Sequence, residues 1–277
     1  MTEMQDAPLL IASDVDGTLI NESERIVPRV RSVITRATRA GTVMALATGR
    51  PPRWIFPVLD QLPVRPVCVC ANGAVLYDSA YDRVLKAHTL SPEVMAEIAA
   101  TAKAHFPGVP VGIAVERAGR SAFDREGELF QVSPEYLHTW AATDHGVAPV
   151  EALVAEPAIK LLVRNAGLTS EELFRELRPL IPRERAHITY SVSEGLLEIM
   201  APGVNKATGV QDLAQLIGAR RDQVVCFGDM PNDVEMLEWA GLGVAMGNGV
   251  AAVKAVADEI TGTNNDGGLA DILERWF

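Results

Sequence analysis

Leu9-Leu10-Ile11-Ala12-Ser13-Asp14-Val15-Asp16-Gly17-Thr18 is the stretch on which the reading of this chain turns. Four consecutive apolar residues, too few for a helix and without polar alternation, predict a strand buried on both faces. Two aspartates at alternate positions follow and run into a Gly-Thr turn. Taken alone, Asp14-x-Asp16 reads as well for a turn former or a helix cap as for a site. The rest of the chain decides between these.

Working outward, similar apolar runs recur at 42–47, 66–71, 223–227 and 242–246. Helical patterns separate them. One opens at Pro28, a favourable first helical position, continues through Val30, Val33, Ile34 and Ala37, and stops near Gly41. Others are predicted at 204–217, 232–240, 250–256 and 269–276. This alternation is the rhythm of an α/β fold: a doubly wound, Rossmann-like parallel sheet covered on both faces. The strands end in polar clusters: Thr48-Gly49-Arg50, Asn72-Gly73 and Gly228-Asp229-Met230-Pro231-Asn232-Asp233. In an open parallel sheet the carboxyl ends share one edge, where ligands bind near the reversal of strand order, so these clusters are expected to converge.

Between Asp78 and Leu197 the pattern changes. Helices at 92–105 and 170–180 are interspersed with strand-like runs at 109–115, 158–163, 187–192 and 196–200, which predicts an inserted α+β cap. The expected organisation is a core of 1–85 and 197–277 interrupted by a cap at 86–196. The irregular stretches 116–127 and 136–146 are left without an assignment.

Composition narrows the function. The chain has 277 residues, 48% of them hydrophobic, enough to bury a core, which excludes wholesale disorder. The formal net charge of −11 removes the basic surface that nucleic-acid binding requires. Met1 to Asp6 is acidic where a secretory signal would be basic, and no apolar run is long enough to span a bilayer, so a cytoplasmic protein without a membrane partner is expected. Cys68, Cys70 and Cys226 are odd in number and sit in apolar runs, as small hydrophobes do, rather than at zinc spacing. The five histidines all fall in the inserted unit, at no ligand spacing.

Asp229 and Asp233, predicted at the strand end beside Asp14 and Asp16, change the odds on the first pair. Like charges brought together need a cation, and carboxylates without nearby His or Cys select Mg²⁺. Thr48-Gly49 alone is an ordinary turn, and Lys206 alone is an ordinary surface lysine. A lysine at a helix start nevertheless opposes the macrodipole, which an anion held between them would resolve.

The set Asp14-Val15-Asp16-Gly17-Thr18-Leu19, Ala47-Thr48-Gly49-Arg50, Lys206 and Gly228-Asp229-x-x-Asn232-Asp233 resembles the four motifs of the haloacid dehalogenase superfamily phosphatases. With Asn72-Gly73-Ala74, Val244 to Asn248 and Asn264 to Gly267, it is similar to the Cof-type branch, whose C2 cap lies between the second and third motifs. The resemblance implies Asp14 as nucleophile, giving an aspartyl-phosphate, and Asp16 as proton donor and then base. It implies Thr48, Gly49, Lys206 and Gly17 as phosphate-binding residues. Mg²⁺ is expected on the Asp14 carboxylate, the Asp16 backbone carbonyl, Asp229 and Asp233. Asn232 is expected to orient Lys206 or the metal shell, with Arg50, Asn72 and Asn264 in support. Met230-Pro231 and Gly268, where valine is usual, depart from the family pattern.

The expected activity is a Mg²⁺-dependent phosphomonoester hydrolase acting on a sugar phosphate or other small phosphorylated metabolite. A phosphomutase or phosphotransferase uses the same motifs, and a non-enzymatic phospho-accepting signalling module also carries clustered aspartates, Thr and Lys. A catalytically silent scaffold is a further alternative.

Overall fold

The computed structural model describes residues 4, 6–138 and 144–277, so most of the acidic N-terminal hexapeptide and part of the 136–146 stretch lie outside the described residues. The chain divides into two compact units, Met1–Leu85 with Asn205–Phe277, and Lys86–Val204.

The first unit is built on an eight-stranded sheet. Leu10–Ser13 lies at its centre, flanked on one side by Val43–Ala47, Val67–Cys70, Val75–Asp78 and Arg83–Ala87, and on the other by Val224–Gly228, Leu242–Ala245 and Glu259–Ile260. Pairing is parallel from Glu259–Ile260 across to Val67–Cys70, whereas Val67–Cys70 and Val75–Asp78 run antiparallel. The antiparallel extension was not anticipated, because Val75-Leu76-Tyr77 is too short a run to stand out beside the turn that precedes it. Strand order reverses at Leu10–Ser13, whose register sets Ser13 beside Phe227 and beside Leu46. Whatever follows Ser13 therefore emerges at the switch point.

Helix Pro28–Arg39 forms where its spacing predicts. Val30, Val33, Ile34 and Ala37 are its buried residues, Pro28 occupies the first turn, and Arg36 and Arg39 complement the carbonyl end. Burial of each Val or Ile there contributes about 1.5–3 kcal/mol. It packs against Gly268–Leu273. Helices Lys206–Ile217, Val234–Trp239 and Ala251–Val256 share a second cluster, in which Val210, Leu213, Met236, Leu237 and Val253 meet Leu10, Ala12, Ala45, Val69 and Cys226. All three cysteines are buried free thiols. Burial pushes the Cys68 thiol up to about 12.

The second unit has a six-stranded sheet in the order His187–Thr189, Leu196–Met200, Lys160–Arg164, Gly112–Glu116, Phe130–Val132, Gly146–Val147. Ile113, Val115, Leu161, Val163, Leu197 and Ile199 join Met95 and Ile98 of Pro92–His105, and Leu173 and Leu177 of Ser170–Leu177, in one apolar cluster. The alternate residues Glu116, Lys160 and Glu198 are also buried, with Lys160 ion-paired to Glu198.

The expected return to the first sheet at 197 is corrected here. Leu196–Met200 pairs antiparallel with Lys160–Arg164, Leu197 opposite Val163, so the chain re-enters the first unit only at Asn205. An apolar run suits either sheet equally, and only pairing assigns it.

Candidate active site

Asp14 stands directly beyond the central strand, and its N–H donates to the Phe227 carbonyl at 3.0 Å. That bond ties the first carboxylate to the strand leading to Asp229. Lys206 is the first residue of its helix, behind an Asn205 cap that accepts from Thr208 N–H. Its Nζ donates to Asp14 Oδ1 and to Asp233 Oδ1, each at 2.6 Å. The anion expected against the macrodipole is thus a pair of carboxylates. Asp233 is fixed further, its Oδ2 accepting from the Asp229 and Met230 N–H groups at 3.0 Å each. Pro231 opens the turn that makes this possible, so the proline departure from the family pattern serves the local geometry.

Asp229 receives the Thr18 hydroxyl on Oδ1 at 2.9 Å. Gly17 explains why a glycine precedes that threonine. Its φ is +78°, and a Cβ there would lie 2.3 Å from Asp229 Oδ2. Thr18 is a site residue that the candidate set missed; its place four residues after Asp14, one turn beyond the strand end, is the signal.

Oxygens of Asp14, Asp229 and Asp233 lie within 4.8 Å of one another. Three buried carboxylates face the Lys206 ammonium, which leaves two formal negative charges uncompensated within the group. Burial raises the Asp14 carboxyl well above the usual range; Lys206 opposes the shift, and the Asp233 and Asp229 charges add to it. Burial and the Asp233 charge push Asp229 up to about 6. Burial alone would lower Lys206, but the Asp14 and Asp233 carboxylates outweigh it and hold the ammonium charged. The fit to a hard divalent cation is good on two counts: all-oxygen donors, and a charge deficit that two positive charges close.

Asp16 does not join this group. Its side chain is 56% exposed and its carboxylate pairs with Arg50, so the expected metal contribution of Asp16 is confined to its backbone carbonyl. Asn232 does not orient Lys206; its Nδ2 donates to Asn72 Oδ1 at 3.0 Å, while its own Oδ1 is buried without a hydrogen-bond partner. Asn72 adopts a left-handed φ of 55° beside Gly49. Thr48 is buried, its hydroxyl oxygen accepting from the Arg50 N–H at 3.1 Å. Asn264 holds backbone rather than the acidic group: its Nδ2 donates to the Ile20 carbonyl and its N–H to Asn248 Oδ1. Asn248 in turn donates to the Gly17 carbonyl at 2.8 Å, a second residue missing from the candidate set. Gly268 replaces the usual valine because a Cβ there would meet the Gly262 carbonyl at 2.2 Å. In the second unit, His138 and His145, remote by ligand spacing, come together with Nε2 atoms 3.3 Å apart.

A parallel sheet whose switch point carries a buried aspartate, a lysine and two further carboxylates belongs here to an α/β phosphatase. A family model for haloacid dehalogenase-like hydrolases matches residues 11–273, and the chain belongs to that family, as a Cof-type phosphatase. It is 28% identical to the 5-amino-6-(5-phospho-D-ribitylamino)uracil phosphatase YitU of Bacillus subtilis over 99% of both chains. It is 30% identical to a putative phosphatase of Haemophilus influenzae over 96% of this chain and 97% of that one. The solved structure of the subclass IIB sugar phosphatase BT4131 shares the fold at a TM-score of 0.77 and 23% identity, over 96% of this chain and 98% of that one. Among the described residues no helix is long and apolar enough to cross a membrane.

Proposed function

We propose that this phosphatase hydrolyses a small organic phosphomonoester, a sugar phosphate or a similarly sized metabolite, by way of a phosphorylated Asp14. The observation that carries the reading is the Lys206 ammonium held 2.6 Å from Asp14 at the sheet switch point, with Asp229 and Asp233 converging on the same place. Relatives named for a phosphorylated ribitylaminouracil and for sugar phosphates support the substrate class.

An Asp14 oxygen bonds to phosphorus as the ester P–O bond breaks, and Asp16 gives its proton to the departing alkoxide. Asp16, now ionised, takes a proton from water, whose oxygen attacks phosphorus and releases inorganic phosphate and free Asp14. Two of the three Lys206 N–H groups serve Asp14 and Asp233, leaving the third for a phosphoryl oxygen. Thr48, Gly49 and Gly17 complete the cradle for the remaining oxygens. Asp14 and Asp229 would hold Mg²⁺, with the Asp16 carbonyl, while Asp233 orients the set. Bound there, the ion neutralises phosphoryl charge that Lys206 alone does not match. The inserted unit is assigned to selection of the alcohol, since none of the four motifs falls in it.

Purified protein is assayed for phosphate release from sugar phosphates and from an aryl phosphate, first with water as sole acceptor and then with an added alcohol. Activity should vanish with chelator, return with Mg²⁺ better than with Zn²⁺, and fall to background in Asp14→Asn. Retained turnover in Asp14→Asn, or transfer to an added alcohol in place of phosphate release, overturns the reading.

A further inference from the structure

The second sheet turns one set of alternate residues, Ile113, Val115 and Leu161 among them, towards its helices and the other set away from them. On the far face Ala114, Leu162 and Leu196 pack with Phe130, Val132 and Tyr136. Tyr136 is pressed onto the strand at Gly112, where a Cβ would lie 2.6 Å from the tyrosine Cα. Two residues on, His138 meets His145, with ring centroids 4.3 Å and Nε2 atoms 3.3 Å apart. Tyr136 and His138 also meet edge to face, their centroids 5.1 Å apart.

What marks the place is its unmet polar atoms. Among the described residues, four buried side-chain polar atoms have no hydrogen-bond partner, and three of them are here: Tyr136 Oη, His138 Nδ1 and His145 Nδ1. Native interiors satisfy nearly all such atoms, so three orphans in one cluster call for a partner. A hydrogen bond between the two rings does not account for them. If one Nε2–H donates to the other Nε2, one Nδ1 is left as a lone pair and the other as an N–H, both buried. At 3.3 Å the contact is also longer than the roughly 2.7–3.2 Å of ordinary N–H···O bonds.

Bonds of about 2.0–2.1 Å from two imidazole nitrogens to one tetrahedral ion set those nitrogens about 3.3 Å apart, the separation seen here. We propose that His138 and His145 bind one divalent transition-metal ion through their Nε2 atoms, a site made of residues of the second unit alone. Imidazole selects zinc, copper or nickel, whereas the all-carboxylate group of the first unit suits Mg²⁺. Coordination at Nε2 makes both rings Nδ1–H tautomers, and Tyr136 Oη is an oxygen able to accept from one of them. The two histidines are held by separate segments. Leu137 is tied to the sheet by Arg164 Nε, which donates to its carbonyl at 3.1 Å. His145 directly precedes Gly146–Val147, which lies in register beside Gln131 and Val132. The ion therefore staples the chain at 138 to the sheet's edge strand, with water in its remaining positions.

Full-length protein, freed of metal and returned to excess Mg²⁺, is titrated with Zn²⁺ by calorimetry and loaded with Cu²⁺ for electron paramagnetic resonance. The Zn²⁺ isotherm should show a site that weakens at least about tenfold in His138→Gln and in His145→Gln and is kept in Asp229→Asn. The Cu²⁺ spectrum should carry couplings to two imidazole nitrogens. No Zn²⁺ uptake, uptake that survives both histidine substitutions, or uptake lost in Asp229→Asn alone overturns the proposal, the ion in the last case belonging to the acidic group. Thermal melts without added metal confirm that the variants are folded. If neither histidine variant folds, the Cu²⁺ spectrum of the parent protein decides, and coupling to one imidazole or to none overturns the site.

Discussion

Replacing Lys206 with methionine tests the electrostatics of the site most directly, because the side chain is 1% exposed and its two carboxylate partners are 8% and 0% exposed. The substitution preserves most of the volume and removes the charge. Asp14, Asp229 and Asp233 are then left together without an ammonium, and breaking a buried pair in this way costs about 3–5 kcal/mol. That is a large part of the 5–15 kcal/mol by which domains are typically stable, and corresponds to a Tm lower by roughly 10 °C. The loss should depend on pH with a definite sign. Asp14 and Asp229 already have raised carboxyl pKa values, Asp229 at about 6 against 3.8 unfolded. A raised carboxyl pKa means that the folded state binds more protons than the unfolded one, so the stability present below pH 4 is lost as pH rises through the folded value. Without Lys206 both shifts grow, and the deficit of the variant is largest at pH 8 and shrinks towards pH 5. Denaturant titrations of both proteins at pH 5 and 8, with and without Mg²⁺, read this out. Mg²⁺ should return part of the stability at pH 8 without returning turnover. A deficit below about 1 kcal/mol that is the same at both pH values refutes the view that Lys206 balances the buried acids.

Three further outcomes are expected. Gly17→Ala sets a Cβ 2.3 Å from Asp229 Oδ2 at a positive φ, and should cost about 2–4 kcal/mol together with at least a tenfold weaker Mg²⁺ affinity by calorimetry. Asn72→Ala removes the partner of Asn232 Nδ2 and a side chain suited to φ 55°, for a loss of about 1–3 kcal/mol in chemical denaturation. His187 is held down at about 4 by burial and by Arg178 and Arg183, so the folded state binds fewer protons than the unfolded one. Stability should therefore rise by about 1–2 kcal/mol from pH 4 to 6.5, the full shift being discounted for partial exposure, and His187→Gln should flatten that slope.

The amino-acid sequence by itself determined the class of fold and the kinds of residue at the site. Continuous apolar runs such as 9–12 and 224–227 suit burial on both faces, and Pro28 with Val30, Val33, Ile34 and Ala37 encodes its helix locally. Acids placed after two such runs implied a shared edge, because parallel topology puts strand ends together. Tertiary structure decided what local pattern does not encode. Strand Leu196–Met200 joined the second sheet because pairing partners, not hydrophobicity, assign a strand. Asp14 and Asp16, two residues apart, were sent to opposite environments, one buried against Lys206 from 192 positions away and the other clamped by Arg50 from the loop after the next strand. Thr18, Asn248, and the His138 and His145 contact likewise depend on chain segments meeting in space. A residue type advertises which chemistry it can perform, but its charge state and its reach are set by neighbours that only the folded chain supplies.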